Sequence, residues 1–205
     1  MGVPVSKLMR RQIPTLMRSL LRVKKESRKG GPVIPWKLEF FTTYSCGSRC
    51  KTCLIWTRYE RAPELRAKEL SAAQFGQIAA SVGEHIRWIS FTGGEITDRE
   101  DAFELATSVI DAAPKARVIS SSSHGLAPER VEKLFGDLAE RYPDRAIMVT
   151  LSLDGLGESY ERIRGVDGFD SVRESMDRLQ NLMKLHANLQ ASYQVTLSRL
   201  NLDQA

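Results

Sequence analysis

The fold is decided by residues 36–56, WKLEFFTTYSCGSRCKTCLIW. The first part, Trp36 to Tyr44, is apolar and rich in β-branched and aromatic residues, which predicts a β-strand. The second part carries all the cysteines of the chain, Cys46, Cys50 and Cys53, spaced as Cys-x3-Cys-x2-Cys. Three thiolates in one short loop suit an iron–sulfur cluster better than a closed zinc site, which requires four ligands.

Two other interpretations of the cysteines stay open. The loop can be a redox-sensitive group of thiols, or a zinc knuckle completed by one of the histidines, His85, His124 or His186. None of these histidines lies at the usual zinc-ligand spacing from the loop. The pattern therefore favours the iron–sulfur cluster.

Strand and helix patterns alternate after this loop. The predicted strands after the first are Arg87–Phe91, Arg117–Ser120, Ala146–Leu151 and Asn188–Leu197. The predicted helices span about Ser71–Val82, Arg99–Ala113, Pro128–Tyr142 and Glu158–His186, the last one interrupted at Gly165–Gly168. Such alternation predicts an α/β fold with a parallel sheet built from βα units. We expect an open, partial TIM-type barrel with outer helices.

Polar or glycine-rich motifs follow each of the first four strands. The cysteines follow the first strand, Gly93-Gly94-Glu95 follows the second, a Ser/His/Gly loop follows the third, and Ser152-Leu-Asp154-Gly ends the fourth. In barrels of this kind the active site lies at the carboxyl ends of the strands. The motifs are therefore expected to meet at one mouth of the barrel.

The cysteine spacing and these motifs resemble the radical S-adenosylmethionine (radical SAM) enzymes. Their signature is Cys-x3-Cys-x-Φ-Cys with Φ usually aromatic, and Thr52 departs from it. The resemblance covers Trp36 to Leu202. It implies a 4Fe–4S cluster on the three cysteines and S-adenosylmethionine bound by Gly93, Gly94, Glu95, Ser152 and Asp154.

The resemblance also implies a mechanism. The open iron of the cluster binds S-adenosylmethionine, and one electron cleaves it to methionine and a 5′-deoxyadenosyl radical that takes a hydrogen atom from the substrate. No catalytic side chain is assigned, because this step needs no protein general base. A flavodoxin- or ferredoxin-like electron donor is implied, whereas the substrate, a small molecule or a peptide, is unidentified. Radical methyltransferase and peptide maturase are both open.

Family barrels have six strands, and five βα units are visible here. We therefore expect the radical SAM region, residues 32–205, to lack its C-terminal part, which leaves the fifth strand as an exposed edge. Arg162-Ile-Arg164-Gly resembles a motif of the branch whose enzymes carry C-terminal auxiliary clusters. For Arg164, an exposed position at a helix end is an equal alternative.

Residues 1–31 form a basic leader. Nine basic residues against one acidic residue give the leader a charge of +8, so the remaining chain carries −3 of the total of +5. Val5–Glu26 has apolar residues at helical spacing, and Pro14 is expected to divide this amphipathic helix. The helix either packs on the outside or bottom of the barrel or, through residues 5–29, binds an anionic membrane surface. Nucleic acid is an unlikely partner, because no aromatic residue lies between the basic ones.

The composition sets further limits. No apolar run is long enough for a transmembrane helix, and no secretory signal is visible. An odd number of clustered cysteines argues for a reducing compartment, so we expect a cytoplasmic protein that can be peripheral at the inner membrane face. The alternative from another class is a non-catalytic iron–sulfur or zinc-binding module that docks through its basic helix.

Overall fold

Five parallel strands form one open sheet in the order β1-β2-β3-β4-β5 in the computed structural model, which describes residues 5–30 and 35–202. The strands are β1 Lys37–Phe41, β2 Trp88–Thr92, β3 Val118–Ser123, β4 Ala146–Ser152 and β5 Leu189–Gln194. Each strand pairs in parallel with the next one along the chain. The predicted α/β fold, an open TIM-type barrel with five strands, is confirmed.

Helices connect the strands. They are α1 Val5–Arg28, α2 Arg58–Arg61, α3 Ala72–Ala80, α4 Ala102–Asp111, α5 Pro128–Arg141, α6 Glu158–Arg164 and α7 Phe169–Leu185. Short 3-10 helices lie at Ile55–Thr57, Pro63–Lys68, Gly83–His85 and Ile96–Asp98. None of the helices in the described part of the chain combines the length and the apolar character that a membrane crossing requires.

The core lies between the sheet and the helices on its convex side. Ser71 begins α3 with a capping box, in which its hydroxyl accepts from the Gln74 backbone N–H and the Gln74 side chain accepts in return. On α5, the apolar residues at helical spacing are all buried: Val131, Leu134, Phe135 and Leu138. Every second residue of β2 and β4 is also buried in this layer, as expected for a sheet covered by helices on one face.

The concave face of the sheet is mostly polar. One row across the strands pairs Ser90 with Ser120, and the next row towards the carboxyl ends pairs Ser122 with Thr150 and Thr150 with Ser192. These side chains are partly exposed, except for Ser192, which is exposed. The inside of the open barrel therefore presents hydroxyl groups.

Several sequence-based boundaries differ from the structure. The predicted first strand ends early, because Thr42 leaves β1 to begin the approach to the cysteine loop. Strand β3 runs to Ser123 instead of Ser120, and β5 ends at Gln194 instead of Leu197. Helix α4 begins three residues late, because Arg99 is extended and the next two residues form a turn. Helix α1 runs through Pro14 without a break. Proline removes its own N–H bond and crowds the carbonyl four residues earlier, yet the residues on both sides of Pro14 continue the helix.

Helix α1 contacts the end of the barrel opposite the strand carboxyl ends. Leu8 is buried against Ala146, the first residue of β4, and Met9 packs beside them. Further along the helix, Leu20 and Leu21 are exposed. The boundary between a leader of residues 1–31 and a barrel of residues 32–205 stays a prediction, and it lies outside the described residues.

Candidate functional site

The cysteine loop has no regular secondary structure, and hydrogen bonds fix its course. The indole Nε1–H of Trp56 donates to the carbonyl oxygens of Cys50, at 3.3 Å, and of Cys53, at 2.9 Å. Cys50 is buried, Cys46 is partly buried and Cys53 is exposed. The three cysteines thus differ in solvent exposure beside the mouth of the barrel.

Helix α6 holds the middle of this loop. The backbone N–H of Arg49 donates to the Arg164 carbonyl at 2.8 Å, and that of Lys51 donates to the Ile163 carbonyl at 2.9 Å. The last carbonyls of a helix have no partner within it, and here the two residues that flank Cys50 supply the donors. Gly165 ends α6 with a φ of 70°, and a Cβ at this position would lie 2.5 Å from the Arg49 oxygen.

The Arg164 side chain turns inward from the same helix end. Its Nη1 donates to Asp154 Oδ2 at 3.1 Å, and its Nη2 reaches Ser48 Oγ at 3.4 Å. The other oxygen of Asp154 accepts from the Thr196 backbone N–H at 2.8 Å. Arg164 is only 8% exposed, so the alternative of an exposed arginine is wrong. Asp154 therefore connects α6, the end of β4 and the segment after β5.

The Gly-Gly-Glu motif fits closely against the chain that leads into the cysteines. The Gly94 N–H donates to the Thr43 carbonyl at 2.7 Å, and the Glu95 N–H donates to the Ser45 carbonyl at 2.8 Å. A Cβ on Gly94 would lie 1.9 Å from the Ser45 oxygen, and Gly93 has a φ of 114°. Both positions therefore require glycine for contacts within the protein itself.

Glu95 is completely buried, and its carboxylate binds neighbouring loops. Oε1 accepts from the backbone N–H and the hydroxyl of Thr97, and Oε2 accepts from the His124 backbone N–H at 2.6 Å. The imidazole Nδ1 of His124 accepts from the Leu126 N–H, so this histidine is bonded to the backbone of its own loop. Glu95 thus fastens the loop after β2 to the loop after β3. A direct contact of its carboxylate with a cofactor stays a prediction.

Three serines, among them the predicted Ser152, lie near the same mouth. Ser152 ends β4 opposite Gln194 and is partly exposed. The Ser123 hydroxyl accepts from the Gly125 N–H, and the Ser198 hydroxyl accepts from the Leu200 N–H. Two clefts open here, one of about 160 Å³ beside Cys46 and one of about 180 Å³ beside Asp154.

Sequence reasoning missed several residues that shape the site. Glu69 accepts hydrogen bonds from the hydroxyls of Thr43 and Tyr59 and pairs with Arg99, whose guanidinium also bonds the Thr42 carbonyl at 2.9 Å. These contacts hold the segment after the cysteines against the end of β1. Their sequence separations of 10 to 57 residues carry no local signal.

The thiols suit an iron–sulfur cluster better than a single ion. Among the residues that the structure describes, no group of three or more His, Cys, Asp or Glu side chains is arranged around one metal position. A 4Fe–4S cluster requires a wider arrangement than one ion does, because each thiolate binds a different iron of the same cubane. Burial raises the pKa of the Cys46 thiol to about 11 and also raises that of Cys50. Iron must therefore displace protons when it binds, as is usual for thiolate ligands.

Comparison with known proteins identifies the family of the chain. The model of the Radical SAM superfamily matches residues 40–189. A probable GTP 3′,8-cyclase of Thermococcus kodakarensis is 34% identical over 152 residues, 73% of this chain and 45% of that protein. Pre-heme d1 synthase of Dinoroseobacter shibae is 30% identical over 139 residues, 67% of this chain and 30% of that protein. The chain thus spans less than half the length of these relatives.

Solved structures share the fold. Streptococcus suis SuiB superimposes with a TM-score of 0.62 at 15% identity, over 91% of this chain and 39% of SuiB. The enzyme anSMEcpe, solved with bound AdoMet, gives a TM-score of 0.51 at 17% identity, over 77% of this chain and 42% of anSMEcpe.

Proposed function

The chain belongs to the radical SAM superfamily, and we propose that it holds a 4Fe–4S cluster through Cys46, Cys50 and Cys53 and cleaves S-adenosylmethionine. When bound, the cluster supplies an open iron for the cofactor and the electron that breaks its carbon–sulfur bond. The single observation that carries the proposal is the direct hydrogen bonding of the cysteine loop to both α6 and the Gly-Gly-Glu loop. The cysteines and the other motifs that resemble those of the family therefore lie at one mouth of the barrel.

The protein's own residues have positioning roles in this proposal. Gly93 and Gly94 let the backbone after β2 lie against Thr43 and Ser45, which fixes the loop beside Cys46. The backbone carbonyls of this segment and the Ser152 hydroxyl are the groups that we assign to S-adenosylmethionine. Glu95 and Asp154 act one step further out, because their carboxylates already bind the protein.

Partners follow from the same assignment. We propose a flavodoxin- or ferredoxin-like protein as the electron donor, which reaches the cluster on the side of the exposed Cys53. The substrate would enter the concave face, where Ser90, Thr150 and Ser192 offer hydrogen-bonding groups. A substrate with polar groups suits this surface better than a wholly apolar one.

Anaerobic reconstitution tests the proposal. The chain should take up about four irons and four sulfides, one cubane cluster, and produce 5′-deoxyadenosine from S-adenosylmethionine under dithionite. Cys50→Ala should abolish both, whereas Thr52→Ala, a change in the same loop that leaves the thiols in place, should keep the cluster. Stoichiometric zinc with no uptake of iron would contradict the proposal and favour the zinc-binding module.

A second role concerns α1, which we propose binds an anionic membrane surface as a peripheral helix. Ile13, Met17, Leu20 and Leu21 are all exposed, the last at 63%. Exposed basic residues lie between and beside them: Lys7, Arg10, Arg11, Arg18, Lys24, Lys25 and Arg28. Exposed apolar side chains bordered by positive charge complement an anionic bilayer, where each basic residue contributes about 1 kcal/mol.

Vesicle co-sedimentation tests this second role. Vesicles of phosphatidylcholine with phosphatidylglycerol should bind the chain, and raising the salt concentration several-fold should weaken binding, because screening shortens the range of the attraction. Leu21→Ser should weaken binding several-fold, whereas Leu185→Ser, which changes an equally exposed leucine on α7, should not. Equal binding by both variants, or binding to RNA in preference to vesicles, would contradict it.

A further inference from the structure

The guanidinium of Arg164 is a buried positive charge beside the cysteine loop. Its side chain is enclosed where α6 meets the loop, with Nη1 on Asp154 and Nη2 on Ser48, itself completely buried. The third nitrogen, Nε, is also buried and has no hydrogen-bond partner at normal distance among the described residues, and the buried hydroxyl of Tyr160 interacts with the same guanidinium. A charged group with an unused buried donor is costly unless something at the site interacts with it.

Cys50 is the cysteine that lies next to this charge. The two backbone bonds from Arg49 and Lys51 to the end of α6 bracket Cys50, and the Cys50 residue is itself buried. The guanidinium of Arg164 reaches Ser48, two residues before Cys50, and the Arg164 carbonyl holds Arg49, the residue directly before Cys50. The buried positive charge of Arg164 is therefore held beside the part of the loop that carries Cys50.

We propose that Arg164 raises the reduction potential of the cluster that Cys50 would hold, so that its reduced form becomes easier to reach. This inference rests on the proposed function. Reduction adds one electron, so the cluster becomes more negative by one charge, and a nearby cation stabilises that state. Because both groups are buried, water and salt screen the attraction much less than they would at the surface.

The structural role of Arg164 can be separated experimentally from the effect of its charge. Its backbone carbonyl, not its side chain, accepts from Arg49, so Arg164→Gln leaves both backbone bonds between α6 and the loop in place. If the Arg164 side chain had only a structural role, its replacement would change the cluster content or the unfolding free energy of the chain. The potential of the cluster that does assemble would then stay the same.

The test measures the midpoint potential of the reconstituted full chain by mediated titration, followed by the paramagnetic signal of the reduced cluster. At a fixed applied potential, Arg164→Gln should lower the ratio of reduced to oxidised cluster about tenfold, which is about 59 mV for a one-electron couple. Arg164→Lys, which keeps the charge, should remain closer to the original. The matched control is Arg162→Gln, which removes the same charge from the same helix at an exposed position whose guanidinium bonds Ser159.

Asp154→Asn provides a second, independent variant. It removes the negative partner and leaves Arg164, so the reduction potential of the cluster should rise. If Arg164→Gln does not hold a cluster, the Asp154→Asn result alone tests the inference. A potential that is equal in Arg164→Gln and the original chain, or one that does not rise in Asp154→Asn, would overturn the inference. Iron and sulfide content of the original chain is measured first. If it takes up no cluster, the proposed function fails and the inference fails with it, which distinguishes that result from an unchanged potential.

Discussion

The cysteine loop and helix α1 are held in opposite ways. The loop lacks regular secondary structure, yet its backbone bonds to α6, to the Gly-Gly-Glu segment and to Trp56. Helix α1 satisfies its backbone internally over 24 residues, yet the buried apolar cluster that joins it to the barrel consists, among the described residues, of Leu8, Met9 and Ala146. A segment without regular secondary structure can therefore be firmly attached to the barrel, and a regular helix can be weakly attached. The loop should respond strongly to single substitutions and α1 weakly.

The largest effect is expected at Gly94. Alanine there would place its Cβ 1.9 Å from the Ser45 oxygen, a contact with backbone that no rotamer change relieves. We expect Gly94→Ala to cost about 3 kcal/mol or more of unfolding free energy, in the range typical of severe overpacking, and to lower iron uptake sharply. Urea unfolding and iron analysis measure the two effects.

The control for Gly94 is another glycine that becomes alanine. Gly136 lies within α5, where a Cβ would meet Leu182 at an ordinary 3.4 Å. Gly136→Ala should stabilise the chain by about 0.5–1 kcal/mol, because alanine favours helix. A Gly94→Ala protein as stable as the original would show that the close approach of the two loops is absent.

A smaller effect is expected at the end of α6. Gly165 lies in the left-handed helical region with a φ of 70°, and a Cβ added there would lie 2.5 Å from the Arg49 oxygen. Alanine in this region costs about 1–2 kcal/mol by itself, and overpacking against Arg49 should add about 1 kcal/mol. Gly165→Ala should therefore destabilise the chain and also reduce iron uptake. Gly157 also has a positive φ, 50°, but faces no neighbour, so Gly157→Ala should destabilise the chain and leave the iron content unchanged. Equal iron content in the two variants would mean that α6 does not hold the loop.

Local pattern predicted much of this molecule, and contacts between distant loops account for the rest. The order of strands and helices, the Ser71 cap and the meeting of the motifs at one mouth follow from periodicity and from the geometry of parallel strands. The burial of Arg164 does not, because it depends on Ser48, 116 residues earlier. The role of Gly94 was predicted as room for a ligand, whereas its nearest neighbour is the Ser45 oxygen. Residues that join two loops carry no periodicity that would reveal their partners.

The smallest effects are expected in α1, where a leucine that packs on the barrel can be compared with one that is exposed to solvent. Leu8 is 5% exposed and packs on Ala146, so Leu8→Ala removes apolar contact. The cluster is small and lies at the periphery, so the cost should fall at about 1–2 kcal/mol, below that of a central core leucine. Leu21→Ala should change unfolding by less than about 0.5 kcal/mol, because the side chain is already in solvent. Urea unfolding compares the two variants, and both should retain the full iron content, since neither residue contacts the cysteine loop. Loss of iron in Leu8→Ala would show that α1 and the cysteine loop are coupled, and the contrast between weakly and strongly attached regions would then be wrong.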